Sequence, residues 1–338
     1  MNWAKEKVTV TGGAGFIGSH LVDALMAKGV EQLTILDNFS RGSLDNILEP
    51  RLNGASIRTM NLELVPPAIR EGSVVFHLAA KVTGIQYNRT HQLEMMQTNL
   101  RINWNMTQAM TRCKPKLYVF VSTACIYPHD APIPTPEWCG NVCNPEPTNF
   151  GYGVAKWVGE QQAKYLYHEY NVPTLIVRFF NAFGPRDYYD EETSHVAPAL
   201  IRRVMEGQDP LEIWGTGEQT RAFVDARDIA KALVMLAETP DAHDALPVNI
   251  GHKTEVPIWD LAEVICQVCK RDPLHIFDTS KPDGYPRRAA DTLRLKSLIG
   301  WVPDTPIERT IRNMVTDYKA RYCQDACTCD CKCDCAVG

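Results

Sequence analysis

Short runs of aliphatic and β-branched residues alternate, over the first two-thirds of the chain, with longer stretches whose apolar positions recur at helical spacing. Lys7-Val8-Thr9-Val10-Thr11 predicts a buried strand, followed by a glycine-rich turn and a helix from Phe16 to Lys28. Further strands are predicted at Gln32–Asp37, Ser56–Met60, Ser73–Leu78, Lys116–Val121 and Pro173–Arg178, with a helix from about Gly153 to Tyr170 before the last. Continuous apolar strands separated by helices imply a parallel sheet covered on both faces. After roughly residue 180 proline and glycine become frequent. Short helices around 196–206, 226–238, 257–271 and 307–321 alternate there with isolated strands, as in a smaller α+β lobe interleaved with the first part.

Composition narrows the class. Of 338 residues 45% are hydrophobic and 22% charged, ample for a sizeable core. With 35 basic and 40 acidic side chains the formal charge is -5, which speaks against a nucleic-acid partner. No apolar run approaches the ~20 residues that span a bilayer, so no membrane partner is expected. The first residues, Met1 to Lys7, lack a signal-peptide apolar region, and a cytoplasmic chain is the expectation.

Twelve cysteines are placed unevenly: six fall in residues 323–338, the rest being Cys113, Cys125, Cys139, Cys143, Cys266 and Cys269. That distribution does not fit a disulfide scaffold. The terminal Cys-x-Cys array, Cys327 to Cys335, has a spacing that suits Cu(I) or Zn(II) and is similar to metallothioneins. The alternative is an extension without a role. Cys266 and Cys269 read as packing residues, and no metal is expected in the folded part.

Gly12-Gly13-Ala14-Gly15-Phe16-Ile17-Gly18 joins the first strand to the first helix and satisfies G-x-G-x-x-G. Glycine is needed where backbone turns tightly, approaches a pyrophosphate and packs against a strand, while the helix N-terminus offers amides to the phosphates. Asp37 ends the second strand 19 residues after Gly18; a carboxylate there binds ribose hydroxyls and repels a 2′-phosphate, favouring NAD over NADP. Tyr152 and Lys156 lie one turn apart on a predicted helix, where the ammonium is expected to lower the phenol's pKa. Ser122-Thr123 places hydroxyls at the carboxyl edge of the sheet, where such folds bind ligands.

With these segments in this order, and with Arg178 to Pro185 and Trp214 to Val224, the chain resembles the extended short-chain dehydrogenase/reductase family from about residue 6 to 322. The resemblance implies an α/β Rossmann-type doubly wound parallel sheet with a smaller α+β substrate-binding lobe. It implies an NAD-binding domain over 1–180, to which about 222–255 return, a mainly substrate-binding lobe over 181–322 and a tail over 323–338. Gly12, Gly15, Phe16, Ile17, Gly18, Asp37, Asn38, Asn61, Leu62, Ala79, Ala80, Asn99, Ser122, Tyr152 and Lys156 would then hold NAD.

Ser122-Thr123-Ala124-Cys125-Ile126-Tyr127-Pro128 resembles the loop of GDP-mannose 3,5-epimerases and GDP-fucose synthases, whose cysteine is one of two acid/base groups. Ser194-His195-Val196-Ala197-Pro198 is similar to the synthases, whose histidine is the second, as is Phe277 to Arg288. The implied catalytic set is Thr123, Cys125, Tyr152, Lys156 and His195. The implied substrate contacts are Lys81, Asn181, Val196, Leu200, Arg203, Trp214, Arg221, Lys281 and Arg287, with Trp214 on the base and Arg203, Arg221 and Lys281 on the diphosphate. Ala124-Cys125 stands where the family's 4,6-dehydratases carry Asp-Glu, which disfavours dehydration, and Asp37 favours a redox-neutral cycle with retained NAD.

The leading expectation is an NAD-dependent 3,5-epimerase of a GDP-hexose or GDP-heptose. The alternatives are a GDP-4-keto-6-deoxy-sugar epimerase/reductase similar to GDP-fucose synthase, a nucleotide-sugar 4-epimerase, a non-catalytic NAD-binding regulator, and a metal buffer centred on the tail. Homodimers are common in the resembled family.

Overall fold

The computed structural model describes residues 1–191, 193–281 and 285–323, the side chain of Ile85 excepted; the Cys327–Cys335 array lies outside them. The chain runs through β1 (Lys7–Thr11), α1 (Phe16–Ala27), β2 (Gln32–Asp37), α2 (Leu48–Leu52), β3 (Ser56–Thr59) and β4 (Val74–His77). It continues with α3 (Ile85–Thr90), α4 (Gln92–Cys113), β5 (Leu117–Thr123), α5 (Phe150–Tyr170) and β6 (Thr174–Phe179). The later part comprises β7 (Ala182–Phe183), α6 (Val196–Met205), β8 (Leu211–Trp214), β9 (Thr220–Arg221), β10 (Val224–Asp225) and α7 (Ala226–Glu238). Beyond these come β11 (Asp244–Ile250), β12 (Val256–Pro257), α8 (Ile258–Cys269), β13 (His275–Asp278), β14 (Arg287–Arg288), α9 (Leu293–Ile299) and α10 (Ile307–Tyr322).

Seven strands form one sheet in the order β11-β6-β5-β4-β1-β2-β3, with every pairing parallel. Every residue of β4 and β6 is buried, as a sheet covered on both faces requires. One face packs with α1 and α7 in a core that includes Val10, Leu21, Ile35 and Leu233; the other packs with α4 and α5 around Tyr118, Phe120, Met106 and Leu166. This is a Rossmann-type doubly wound fold. Chain order reverses between β1 and β4, which opens a crevice at their carboxyl ends, where such sheets bind ligands.

A second core joins α6, α8, α10 and β8 through Leu200, Ile201, Ile213, Leu261, Ile265, Ile311 and Met314; Cys266 is buried in it and Cys269 packs against it. No helix among the described residues is long and apolar enough to cross a membrane. The sequence reading contains no helix where α4 lies. The reason is that α4 buries Thr98, Asn99 and Asn103 along with its apolar residues, so its inward face is part polar and the helical period is obscured.

Candidate functional site

The crevice is floored by the glycine turn. Gly12 has φ +70, and a Cβ there would lie 2.9 Å from the Ala79 amide nitrogen, so the turn and the end of β4 touch backbone to backbone. A Cβ on Gly18 would run into the Gly12 carbonyl oxygen, which is why the first helical turn lies so close to β1. Gly15 is the N-cap of α1 and provides no side-chain cap, leaving the amides of Phe16, Ile17 and Gly18 without partners inside the helix.

Asp37 is buried; one carboxylate oxygen accepts from the Ala14 amide and the other from the Phe39 amide, both at 2.9 Å. A carboxylate has about four acceptor positions, so acceptor capacity remains. The Ser122 hydroxyl at the end of β5 is buried without a hydrogen-bond partner. Free amides, spare carboxylate lone pairs and an orphan hydroxyl along one crevice fit a dinucleotide.

Most of the remaining expected cofactor residues also make contacts within the chain. Asn99 is buried and holds the loop after β4: its amide donates to the Lys81 carbonyl and its carbonyl accepts from the Lys81 amide, both at 3.0 Å. Asn38 and Asn61 accept from the backbone two residues on, at Ser40 and Glu63. Leu62 belongs to the α4–α5 core, and Ala80 follows Ala79, whose amide donates to Thr11 Oγ1 at 3.2 Å.

Thr123, Cys125 and Tyr152 come together where β5 ends. The Thr123 hydroxyl accepts from the Cys125 amide at 3.2 Å and lies near enough to the Tyr152 phenol to favour its ionised form. Burial pushes the Tyr152 phenol up, and the contact with Thr123 only partly offsets that. The expected lowering by Lys156 is not seen. The Lys156 ammonium donates to the Val121 carbonyl at 2.8 Å and stands 6.0 Å from the Tyr152 ring centroid, because a buried ammonium needs an acceptor. Burial pushes Lys156 itself down to about 8, with Glu160 pulling the other way.

Burial pushes the Cys125 thiol up, while the positive charge of the nearby Arg288 guanidinium opposes the rise. The Arg288 guanidinium donates to Glu146 at 3.3 Å and lies 4.7 Å over the Tyr285 ring. Arg288 and Glu146 are absent from the residues expected by sequence. Arg287, expected instead, points its guanidinium to the Glu255 carboxylate at 2.5 Å on the exposed side. Successive residues of a strand face opposite ways, so in β14 only one of the two arginines can turn inward.

His195, the N-cap of α6, belongs to a second lip of the cleft. Partial dehydration opposes its imidazolium, but the buried Asp187 carboxylate, 3.3 Å from Nδ1, outweighs that and raises its pKa. The segment carrying it meets the loop after β4, where a Cβ on Gly84 would lie 3.0 Å from the Thr193 carbonyl oxygen. Arg41 spans the same opening, donating to the Val82 carbonyl at 2.7 Å and stacking 4.4 Å over Tyr188.

Farther out, Trp214 is flanked by two cations, Arg203 and Lys281, each 5.6 Å from its ring, and its indole NH donates to Glu212 at 2.8 Å. The Arg221 guanidinium donates to the Tyr285 carbonyl at 2.6 Å. Val196 is exposed on α6. Leu200 is 2% exposed and sits in the second core, since positions 197, 200, 201 and 204 form the inward stripe of that helix. The Asn181 amide donates to the Ala222 and Arg288 carbonyls, bracing the two segments. Lys81 pairs with Glu94. Among the described residues no group of three or more His, Cys, Asp or Glu is placed to hold a metal.

Comparison with known proteins identifies relatives of the whole fold. The model of the family described as "NAD dependent epimerase/dehydratase family" matches residues 8–251. The probable GDP-L-fucose synthase 1 of Oryza sativa subsp. japonica is 32% identical over 319 residues, covering 93% of this chain and 91% of its own. UDP-glucuronic acid decarboxylase 4 of Arabidopsis thaliana is 30% identical over 323 residues, covering 94% of this chain and 70% of its own. The solved UDP-glucuronic acid 4-epimerase from Bacillus cereus, in complex with UDP-glucuronic acid and NAD, superposes with a TM-score of 0.82 at 25% identity, covering 94% of this chain and 100% of that one.

Proposed function

The chain belongs to the NAD dependent epimerase/dehydratase family, and from that premise we propose that it is an NAD-dependent 3,5-epimerase of a GDP-hexose or GDP-heptose. The observation that carries this reading is the cysteine thiol beside the Thr123–Tyr152 pair, with a guanidinium against it. A 4-epimerase has no use for a thiol acid/base at that point.

The glycine turn, Asp37 and Ser122 would hold NAD, which would supply a reversible hydride acceptor for C4 of the sugar. Tyr152 takes the C4 hydroxyl proton, with the Thr123 hydroxyl orienting the phenol and the Lys156 charge within 6.0 Å of its ring. A ketone at C4 acidifies the protons on C3 and C5. At each inverted carbon Cys125, as thiolate, removes the proton and His195, as imidazolium, returns one to the opposite face, with solvent exchange resetting the pair. Asp187 favours that charged form of His195. The C4 ketone then regains its hydride and takes back the proton held by Tyr152. Trp214 takes the base, and Arg203, Arg221 and Lys281 take the diphosphate.

The test is incubation in heavy water with a GDP-hexose, without added reductant, followed by proton NMR. Deuterium at C3 and C5 is expected; Cys125→Ser and His195→Asn should each cut incorporation by about 10²-fold or more. Incorporation untouched in both variants would overturn the acid/base assignment. The second reading, a 4-keto-sugar epimerase/reductase, is favoured by the identity to the rice synthase and would show as a strict NADPH requirement with a 4-keto substrate.

A further inference from the structure

Glu146 is nearly fully buried, at 2% exposure, next to a cysteine rather than a solvated surface. Its two oxygens are used differently. Oε2 accepts from the Arg288 guanidinium at 3.3 Å, and Oε1 accepts from the Asn149 side-chain amide. Asn149 in turn accepts from Asn88 at 2.7 Å, and Asn88 accepts from the Thr83 hydroxyl. The carboxylate is thus braced by a chain of side chains reaching the loop after β4, and its other oxygen holds, at 3.3 Å, the Arg288 guanidinium, whose charge acts on the Cys125 thiol. The other titratable groups near this thiol are the Tyr152 and Tyr285 phenols. Arg288 has no second carboxylate partner among the described residues, so its orientation depends on Glu146 and on the Tyr285 ring.

We propose that Glu146 is a positioning residue that holds the Arg288 guanidinium against the Cys125 thiol and so sets how readily the thiol releases its proton. A carboxylate near a thiol by itself makes the thiolate harder to form, whereas a nearby guanidinium makes it easier. The two effects have opposite signs, and removing Glu146 tells them apart.

The inference rests on Cys125 being an acid/base group, so the readout does not need turnover. The full-length protein is alkylated with iodoacetamide across pH, and modification of Cys125 is followed by peptide mass spectrometry. Glu146→Gln is expected to move the Cys125 midpoint upward by about one pH unit, a tenfold slower alkylation below the midpoint. Glu146→Asp keeps the charge but withdraws it by one methylene, and is expected to move the midpoint the same way by less. In an Arg288→Gln background the Glu146→Gln change should no longer raise the midpoint.

A downward shift in Glu146→Gln, or an upward shift that persists without Arg288, overturns the proposal. Should Glu146→Gln not fold, Glu146→Asp alone still decides the sign. If these shifts appear while Cys125→Ser leaves deuterium incorporation untouched, the positioning stands and the catalytic reading of Cys125 falls.

Discussion

Arg178 and Arg288 each face a buried glutamate, yet their surroundings differ in one respect that separates architecture from chemistry. Arg178 is fully buried: Nε and Nη2 donate to both oxygens of Glu160 at 2.9 and 2.7 Å, and Nη1 donates to the Tyr127 hydroxyl at 2.9 Å and the Glu137 carbonyl at 2.6 Å. Four of its five N–H groups are committed, in a fork that ties β6 to α5. Arg288 makes one longer contact, at 3.3 Å, and its guanidinium also meets a thiol that can change charge. A buried cation with nearly all its donors committed fixes a fold; one with several to spare can respond to a proton leaving its neighbour.

The largest effect expected to test this contrast is at Glu160. Glu160→Gln leaves Arg178 uncompensated in the core and should cost about 3–5 kcal/mol in urea unfolding, while Glu146→Gln should cost clearly less. Equal losses would erase the distinction. Next comes Gly140→Ala, whose added Cβ would lie 2.7 Å from both terminal nitrogens of Arg178. Because that guanidinium is pinned by its partners, a loss of about 1–3 kcal/mol is expected; a neutral result would show that Arg178 has slack after all.

The smallest effect concerns the second lip. The pKa of His195 is raised above its ordinary 6.5, so the stabilisation from Asp187 is complete below 6.5 and fades as pH rises through the folded value. Asp187→Asn should therefore lower the melting temperature at pH 5.5 and converge on the parent at pH 8.5. An equal loss at both values would show that Asp187 acts on something other than His195.

The sheet was largely legible in the sequence because most of its strands are short, rich in aliphatic and β-branched residues and separated by helices of ordinary length. Lys7–Thr11 and Gln32–Asp37 have the expected bounds, and the helix with Tyr152 starts three residues early, at Phe150. What was not legible depended on contacts between distant segments. Lys156 spaces correctly to Tyr152, but the carbonyl that draws its ammonium away belongs to β5. Glu146 and Arg288 are 142 positions apart; Glu146 lies in no motif, and Arg288 only closes the synthase-like Phe277–Arg288 segment. The one local signal was the Arg287-Arg288 doublet on an extended segment, since alternation guarantees that one of the two faces inward.

The two cores are woven from one thread. Residues of the second core come from 183–223, from 258–266 and from 311–318, and between these stretches α7, β11 and Leu295 return to the first. Exchanging this lobe for that of a relative, to transplant its choice of sugar, therefore requires three coordinated grafts and six junctions. Single-segment chimeras would leave each core with a foreign share.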